Sequence, residues 1–278
     1  MPTPFQHLVY ARMLLGDPAL PAAVRENLHR ESHAYYLGNT AADVQSITTQ
    51  PRCETHFYHL VDLAKVRPYA VMLATWPYLA DPYQLTPAHA AFVSGYLAHL
   101  VWDEFWAREI FVPYYMENDG WVERLECNIH HNALRVCLDQ QAEAVLRTWE
   151  SPACLIQDAI PEHWLPFVTD AALCRWRDWL VAQLWDPAKV ETSQVFADRM
   201  GIPVEQLQEM IQIINVADDP APTPGLREAL VHFEQRAWAE SLNVLTRYWE
   251  GMLQEDASAA ASLPSPACQP AAALPRQF

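Results

Sequence analysis

GYLAHLVWDEFW, residues 95–106, reads with a helical period and no other. Gly95, Tyr96, His99, Asp103 and Trp106 recur at three- and four-residue spacing, which places them on one face of an α-helix. Phe92 and Ile110 extend the same stripe in both directions. Thr86-Pro87 supplies an N-cap followed by a first-turn proline, and Pro113 supplies a stop, so the helix is predicted to end near Val112. On its face His99 and Asp103 stand at i and i+4, one turn apart, where together they can hold one or two cations. Gly95, one turn earlier, leaves room for ions or for a neighbouring helix. Such a pair alone is more often a helix-stabilising contact than a metal site.

Outward from this helix the chain continues in the same idiom. Thr3-Pro4 opens a helix that should run to Leu15 and stop at Gly16-Asp17-Pro18, and Pro21 opens another reaching Ser32. Residues 34–58 show no helical period and are expected to form a long loop, a kind of segment that is usually functional. Further helices are predicted over Arg67–Trp76, Trp121–Trp149, 169–185, 188–199 and 203–216, with a last one from Pro224 to Glu255. The last carries a packing stripe of Leu230, Phe233, Ala237, Leu242, Leu245, Trp249 and Leu253. Trp176, Trp179 and Trp185 fall at helical spacing and are expected in the core. The Ala-, Ser- and Pro-rich residues 257–278 are expected to be a disordered tail. The expected fold is all-α: one multi-helix domain over residues 1–256, with a motif-bearing part at 5–140, a helical extension at 150–256 and about eight helices in all.

Composition narrows the function. Of 278 residues 51% are apolar, so the chain can bury a core, and only seven glycines with few alternating β-branched runs argue against a sheet. A net charge of -16 disfavours nucleic acid and anionic membranes as partners. No apolar run of about 18 residues occurs, so no membrane insertion is expected. The start of the chain lacks a basic region followed by an apolar run, which makes cytoplasm the default compartment. Cys53, Cys127, Cys137, Cys154, Cys174 and Cys268 show no CxxC spacing and are expected to be buried free thiols.

Nine of the eleven histidines precede residue 140. Histidine and carboxylate are the natural ligands of zinc and similar ions. His7, Asp43 and His56 each have an ordinary reading: a surface residue of the first helix, a turn or cap residue, and a partly buried histidine. It is their occurrence together with His99 and Asp103 that points to a metal. His29 and His33 share metal-like spacing, but Arg30 and Glu31 mark a solvated helix end. His59, His89, His163 and His232 are taken as structural or surface residues.

The joint pattern resembles the zinc-dependent phospholipase C family. That family also supplies the N-terminal domain of glycosylphosphatidylinositol-specific phospholipase D and is related to the S1/P1 nucleases. The resemblance rests on HLVYARMLL at 7–15, YLGNTAADVQ at 36–45, THFY at 55–58 and GYLAHLVWDEFW at 95–106. These stretches match, in order, an early helical His, a Gly-x-x-x-x-Asp segment, a Thr-His-Phe and a His-x-x-x-Asp. The resemblance implies an all-α fold with Asp43, His56, His99 and Asp103 on one zinc ion, and Asp103 bridging to a second held also by His7. A bridge of that kind keeps two cations about 3.5–4 Å apart, lowers the pKa of a bound water and neutralises phosphate oxygens. Asp43 would double as the base that orients the water. The implied substrate is a phosphoester small molecule or a phospholipid. The match lapses at the third ion, where the family has a His and then a His-x-x-x-Glu. Here Glu109 stands at the first position and Glu126 with His130 forms a reversed Glu-x-x-x-His, a set of competent ligands without an exact match, with His131 available as a hydrogen-bonding neighbour. No processed N-terminal tryptophan, a ligand in secreted members, is indicated.

Three functions follow from this reading. The first is a metal-dependent phosphodiester hydrolase. The second is a cytoplasmic metalloprotein of the same fold that acts on a non-lipid phosphoester or has lost catalysis, which the acidic surface and the third-ion mismatch favour. The third is a non-catalytic helical interaction protein whose histidines are structural.

Overall fold

The computed structural model describes residues 1–63, 66–216 and 223–261. Helix is the regular structure of these residues, and no strand occurs among them. Twelve α-helices are found where about eight were expected, because several of the sequence segments divide. The helices are α1 (Pro4–Gly16), α2 (Ala22–Arg30), α3 (Ser32–Ala41), α4 (Arg52–His56), α5 (Pro68–Thr75) and α6 (Pro87–Trp106). They continue with α7 (Arg124–Arg147), α8 (Asp170–Trp185), α9 (Thr192–Met200), α10 (Val204–Val216), α11 (Leu226–Trp249) and α12 (Leu253–Ala261).

α6 is the axis of the fold. Thr86 Oγ1 accepts the His89 backbone N–H (3.3 Å) and Pro87 occupies the first turn. From Ala90 to Trp106 all of its residues except Phe105 are buried, as befits a helix that is apolar nearly all round. Pro113 does not end the rod. The chain passes from α6 into a π-helical segment, Ala107–Met116, with Pro113 inside it. A π turn is wider than an α turn, which relieves the clash a proline ring makes with the carbonyl of the preceding turn.

α3 lies directly against α6, and two glycines set the approach. A Cβ on Gly38 would sit 2.0 Å from the Phe92 carbonyl oxygen, and one on Gly95 would sit 2.1 Å from that of Tyr35. Only hydrogen fits at either position. The expected loop at 34–58 is therefore corrected: it holds most of α3, a 3-10 turn over Ala42–Ser46, and α4. The stretch from Ala34 to Ala42 is buried on every side, so it lacks the polar face whose contrast would reveal a helical period.

α1 opens with Pro4 in its first turn, the Thr3 N–H donating to Gln6 Oε1 (3.1 Å), and packs on α3 and α7. The later helices buttress this core. Phe233 of α11 meets the rings of Trp102 and Trp106 edge-on, and Trp249 Nε1 donates to Ser94 Oγ (3.1 Å). Trp176 of α8 is buried and donates to Thr40 Oγ1 on α3 (3.2 Å). Trp179 is partly buried, whereas Trp185 is exposed, correcting its expected core position: it is the last residue of α8, where the packed face runs out.

The predicted helix from Pro224 to Glu255 is broken at Gly251, whose φ of 72° ends α11 in a left-handed turn. α12 then packs on α5 and buries Ala257, so the tail does not begin at 257; residues 262–278 lie outside the described residues. Cys127 and Cys137 are buried free thiols, and Cys154 and Cys174 are free but only half-buried. Cys53 is disulfide-bonded, against expectation, since spacing alone does not show whether a cysteine pairs; Cys268 lies outside the described residues. Among the described residues no helix is long and apolar enough to cross a membrane.

Gly95→Ala should force α3 and α6 apart and destabilise the fold by about 3 kcal/mol. Urea unfolding with an unchanged m-value would read this out, and a loss below about 0.5 kcal/mol would disprove the tight backbone contact.

Candidate metal centre

Four separate segments deliver side chains to one point. His7 comes from the first turns of α1, Asp43 from the 3-10 turn, His56 from the end of α4, and His99 with Asp103 from α6. After His56 the chain turns sharply through Phe57, a non-glycine residue in the left-handed region (φ 60°). That turn seats Phe57 edge-on against Phe167, with ring centroids 5.0 Å apart.

The Asp103 carboxylate is the hub. Its Oδ1 lies 3.4 Å from His7 Nε2, and its Oδ2 lies 3.2 Å from His56 Nε2 and 3.7 Å from His99 Nε2. His56 Nε2 is also 3.6 Å from Asp43 Oδ1 and 3.3 Å from His99 Nε2. The His7 and His99 rings stack at 3.9 Å. The three histidines and Asp103 are sealed from solvent, while Asp43 keeps 15% of its side-chain surface exposed and forms the open side.

Hydrogen bonding fixes which ring nitrogens face inward. His99 Nδ1 is 2.8 Å from the Asn39 carbonyl, which only an N–H can satisfy, so Nε2 faces the carboxylates. Thr55 Oγ1 donates its proton to the Arg52 carbonyl (3.2 Å), so His56 Nδ1, 2.8 Å away, must donate to that oxygen. The lone pair of His56 is thereby left on Nε2. An imidazole oriented through its outer N–H in this way is the usual arrangement around a bound metal.

The electrostatics belong to a cluster of charges out of water. Burial opposes ionisation of Asp103, but the charges of His99 and Arg52, with the His56 and His7 rings close beside it, outweigh it and hold the carboxyl well below its usual range. Asp43 is likewise held low against burial, by the adjacent His56 ring and the charge of His99. Burial, then the like charge of His99, pushes His7 down to about 4. Burial and Arg52 lower His56. His99 is raised: burial works against its charge, but the Asp103 carboxylate prevails.

These residues fit a metal ion. Two groups have ligand atoms mutually within 4.8 Å: His7, His99 and Asp103, and Asp43, His56 and His99. Their nitrogen and carboxylate donors suit zinc and its neighbours. Both nitrogens of His7 and Oδ1 of Asp103 are buried without a hydrogen-bond partner, a costly condition that a cation would relieve.

One residue of the centre escaped sequence reasoning. The Arg52 guanidinium donates to Asp103 Oδ2 (2.6 Å), Tyr58 Oη (3.1 Å) and, through its other nitrogen, His56 Nε2 (2.6 Å), and it also touches Met1 Sδ. Arg52 and His56 stand at i and i+4, the spacing that would have revealed it.

The residues considered for a third ion lie elsewhere. Glu109 pairs with Arg236 (2.7 Å), and Glu126 is exposed at the start of α7. His130 Nδ1 meets Tyr115 Oη (3.2 Å) beside the Trp121 ring, and His131 Nε2 accepts from Trp106 Nε1 (3.2 Å). Among the described residues no group of three close ligands includes any of these four. Comparisons with family models, with curated proteins and with solved structures each return no match.

Burial lowers His130 from 6.5 to about 4, so the folded chain refuses a proton that the unfolded chain accepts. Its share of stability is therefore complete above pH 6.5 and is lost as pH falls towards 4, by up to about 3 kcal/mol. Urea titrations in chelator should show the stability gap between wild type and His130→Gln narrowing across that window. A gap independent of pH would show that His130 protonates freely in the folded state.

Proposed function

We propose that this chain is a metal-dependent phosphodiester hydrolase resembling zinc-dependent phospholipase C, acting on a phosphoester. The observation that carries the reading is the convergence of His7, Asp43, His56, His99 and Asp103 from four segments onto one buried point. Helix packing alone has no use for three imidazoles and two carboxylates gathered with partnerless polar atoms among them. His7, His56 and His99 would act as neutral nitrogen ligands. Asp103, whose two oxygens face different histidines, is built to bridge. A bound zinc-like ion supplies Lewis acidity towards phosphate oxygens and makes water a nucleophile at neutral pH. Asp43 stands on the solvent side, held ionised 3.6 Å from His56 Nε2, where it can orient an incoming water as its base.

A second reading keeps the fold and the metal but gives up the phospholipid. It takes the chain as a metalloprotein for a soluble phosphoester, or one that has lost catalysis. Arg52 favours it, since a guanidinium hydrogen-bonded to His56 and Asp103 takes up ligand atoms that a full two-ion centre would use.

Elemental analysis of the purified full chain should find at least one equivalent of zinc or a comparable metal, reduced at least about tenfold in His99→Ala. Chelation should lower the melting temperature and abolish hydrolysis of bis(p-nitrophenyl) phosphate. Comparing that soluble diester with phosphatidylcholine micelles separates the two readings. Absence of metal, with a melting temperature indifferent to chelator, would leave only a helical interaction protein.

A further inference from the structure

We infer that Arg52 is a displaceable internal cation that decides whether the centre holds one metal ion or two. The inference rests on the proposed metal site but not on the hydrolysis.

The two halves of the centre differ in what already engages their ligand atoms. On one side, His7 Nε2 and Asp103 Oδ1 face each other at 3.4 Å, both buried and without hydrogen-bond partners. On the other, Arg52 takes the inward lone pair of His56 and holds Asp103 Oδ2, both at 2.6 Å, with Asp43 Oδ1 at 4.0 Å. Metal–nitrogen and metal–oxygen bonds are about 2.0–2.2 Å, so an ion and a guanidinium nitrogen at 2.6 Å cannot share those lone pairs. His99 can complete only one of the two ligand groups, because Nδ1 is committed to the Asn39 carbonyl and Nε2 alone faces inward.

The order of filling follows. A first ion takes His7, His99 and Asp103 Oδ1 and disturbs nothing. A second, at Asp43 and His56, must displace Arg52. The displacement is sterically open: the Arg52 side chain is 28% exposed, against 0% for His56 and 1% for Asp103, and it projects from a five-residue helix at the rim. Its other contacts inside are Tyr58 and Met1 Sδ. Arginine stays charged at any working pH, so the competition is between cations and does not depend on deprotonation.

The test is zinc titration of metal-free full-length protein by calorimetry, with elemental analysis after desalting. Wild type should take one tight equivalent. Arg52→Gln should take two, the second at least about tenfold tighter than any second event in wild type. Arg52→Met, which keeps the stem and removes the donors, serves the same end if glutamine impairs folding. His7→Ala should remove the tight equivalent from wild type and leave one in the His7→Ala/Arg52→Gln double variant. Equal stoichiometry and affinity in wild type and both Arg52 variants, or weaker binding in the variants, overturns the inference while sparing the metal site. Absence of zinc binding in every protein overturns both.

Discussion

The structure turns on a carboxylate that has no access to water. Asp103 is 1% exposed and sits in the last turn of α6, a helix buried on nearly every side. An ionised carboxylate placed there is tolerated only when charge and hydrogen bonds surround it, because its lost hydration is worth several kcal/mol. His7, His56, His99 and Arg52 provide that surround, and each arrives from an element that must be positioned for the purpose. α1 has to lie over α6, α4 has to end where it does, and the turn at Phe57 has to carry the chain away. The architecture on this side of the molecule can be read as the solution to one electrostatic problem.

Packing and chemistry meet most directly at the α3–α6 contact. Gly95 lets α3 approach until a Cβ there would strike Asn39 N at 2.8 Å and Asn39 Nδ2 at 2.9 Å. Asn39 is the residue whose carbonyl fixes the His99 ring, and its own amide is held by the Tyr35 carbonyl (3.0 Å). The missing side chain at 95 therefore does more than admit a neighbouring helix. It sets the distance at which a backbone oxygen selects the protonated nitrogen of His99, and so the nitrogen turned towards Asp103. The later helices contribute through rigidity: Phe233 locks Trp102 and Trp106, and Trp176 ties α8 to α3.

What the sequence disclosed depended on contrast between faces. α6 announced itself through flanking signals, Thr86-Pro87 and the stripe from Phe92 to Ile110, and its boundary failed only where the helix widened to pass Pro113. α3 was hidden because it is buried all round and offers no polar face. The five main site residues were legible as residue types in order, through resemblance and through the His99–Asp103 spacing. Their convergence was not, since it depends on how four segments pack. Arg52 was missed for a different reason. An arginine beside a cation site reads as a surface residue until its guanidinium is found against Asp103, and only its i, i+4 spacing from His56 marks it in the sequence.

Charge around the centre also departs from that of the chain as a whole. The chain carries -16 overall, a field that should repel a phosphoester. Around the centre the balance is different. Arg135 is pushed down to about 10 by burial, with Arg199 and Arg52 opposing its charge and Asp43 and Asp103 supporting it. Arg199 feels Asp43 and Arg52 in the same way. Arg135 and Arg199 both approach the Phe196 ring, with Arg135 closer at 4.3 Å, and Arg135 also donates to the Met1 carbonyl (2.6 Å) while Arg52 touches Met1 Sδ. Arg52, Arg135 and Arg199 are thus interleaved with Asp43, Asp103 and Asp139 in one neighbourhood, before any divalent ion is counted. Within a Debye length of about 8–10 Å these near charges outweigh distant surface charge. The centre is thus close to balanced in charge where the molecule as a whole is strongly acidic, and under the inference above a second cation that releases Arg52 would shift that balance to the positive side.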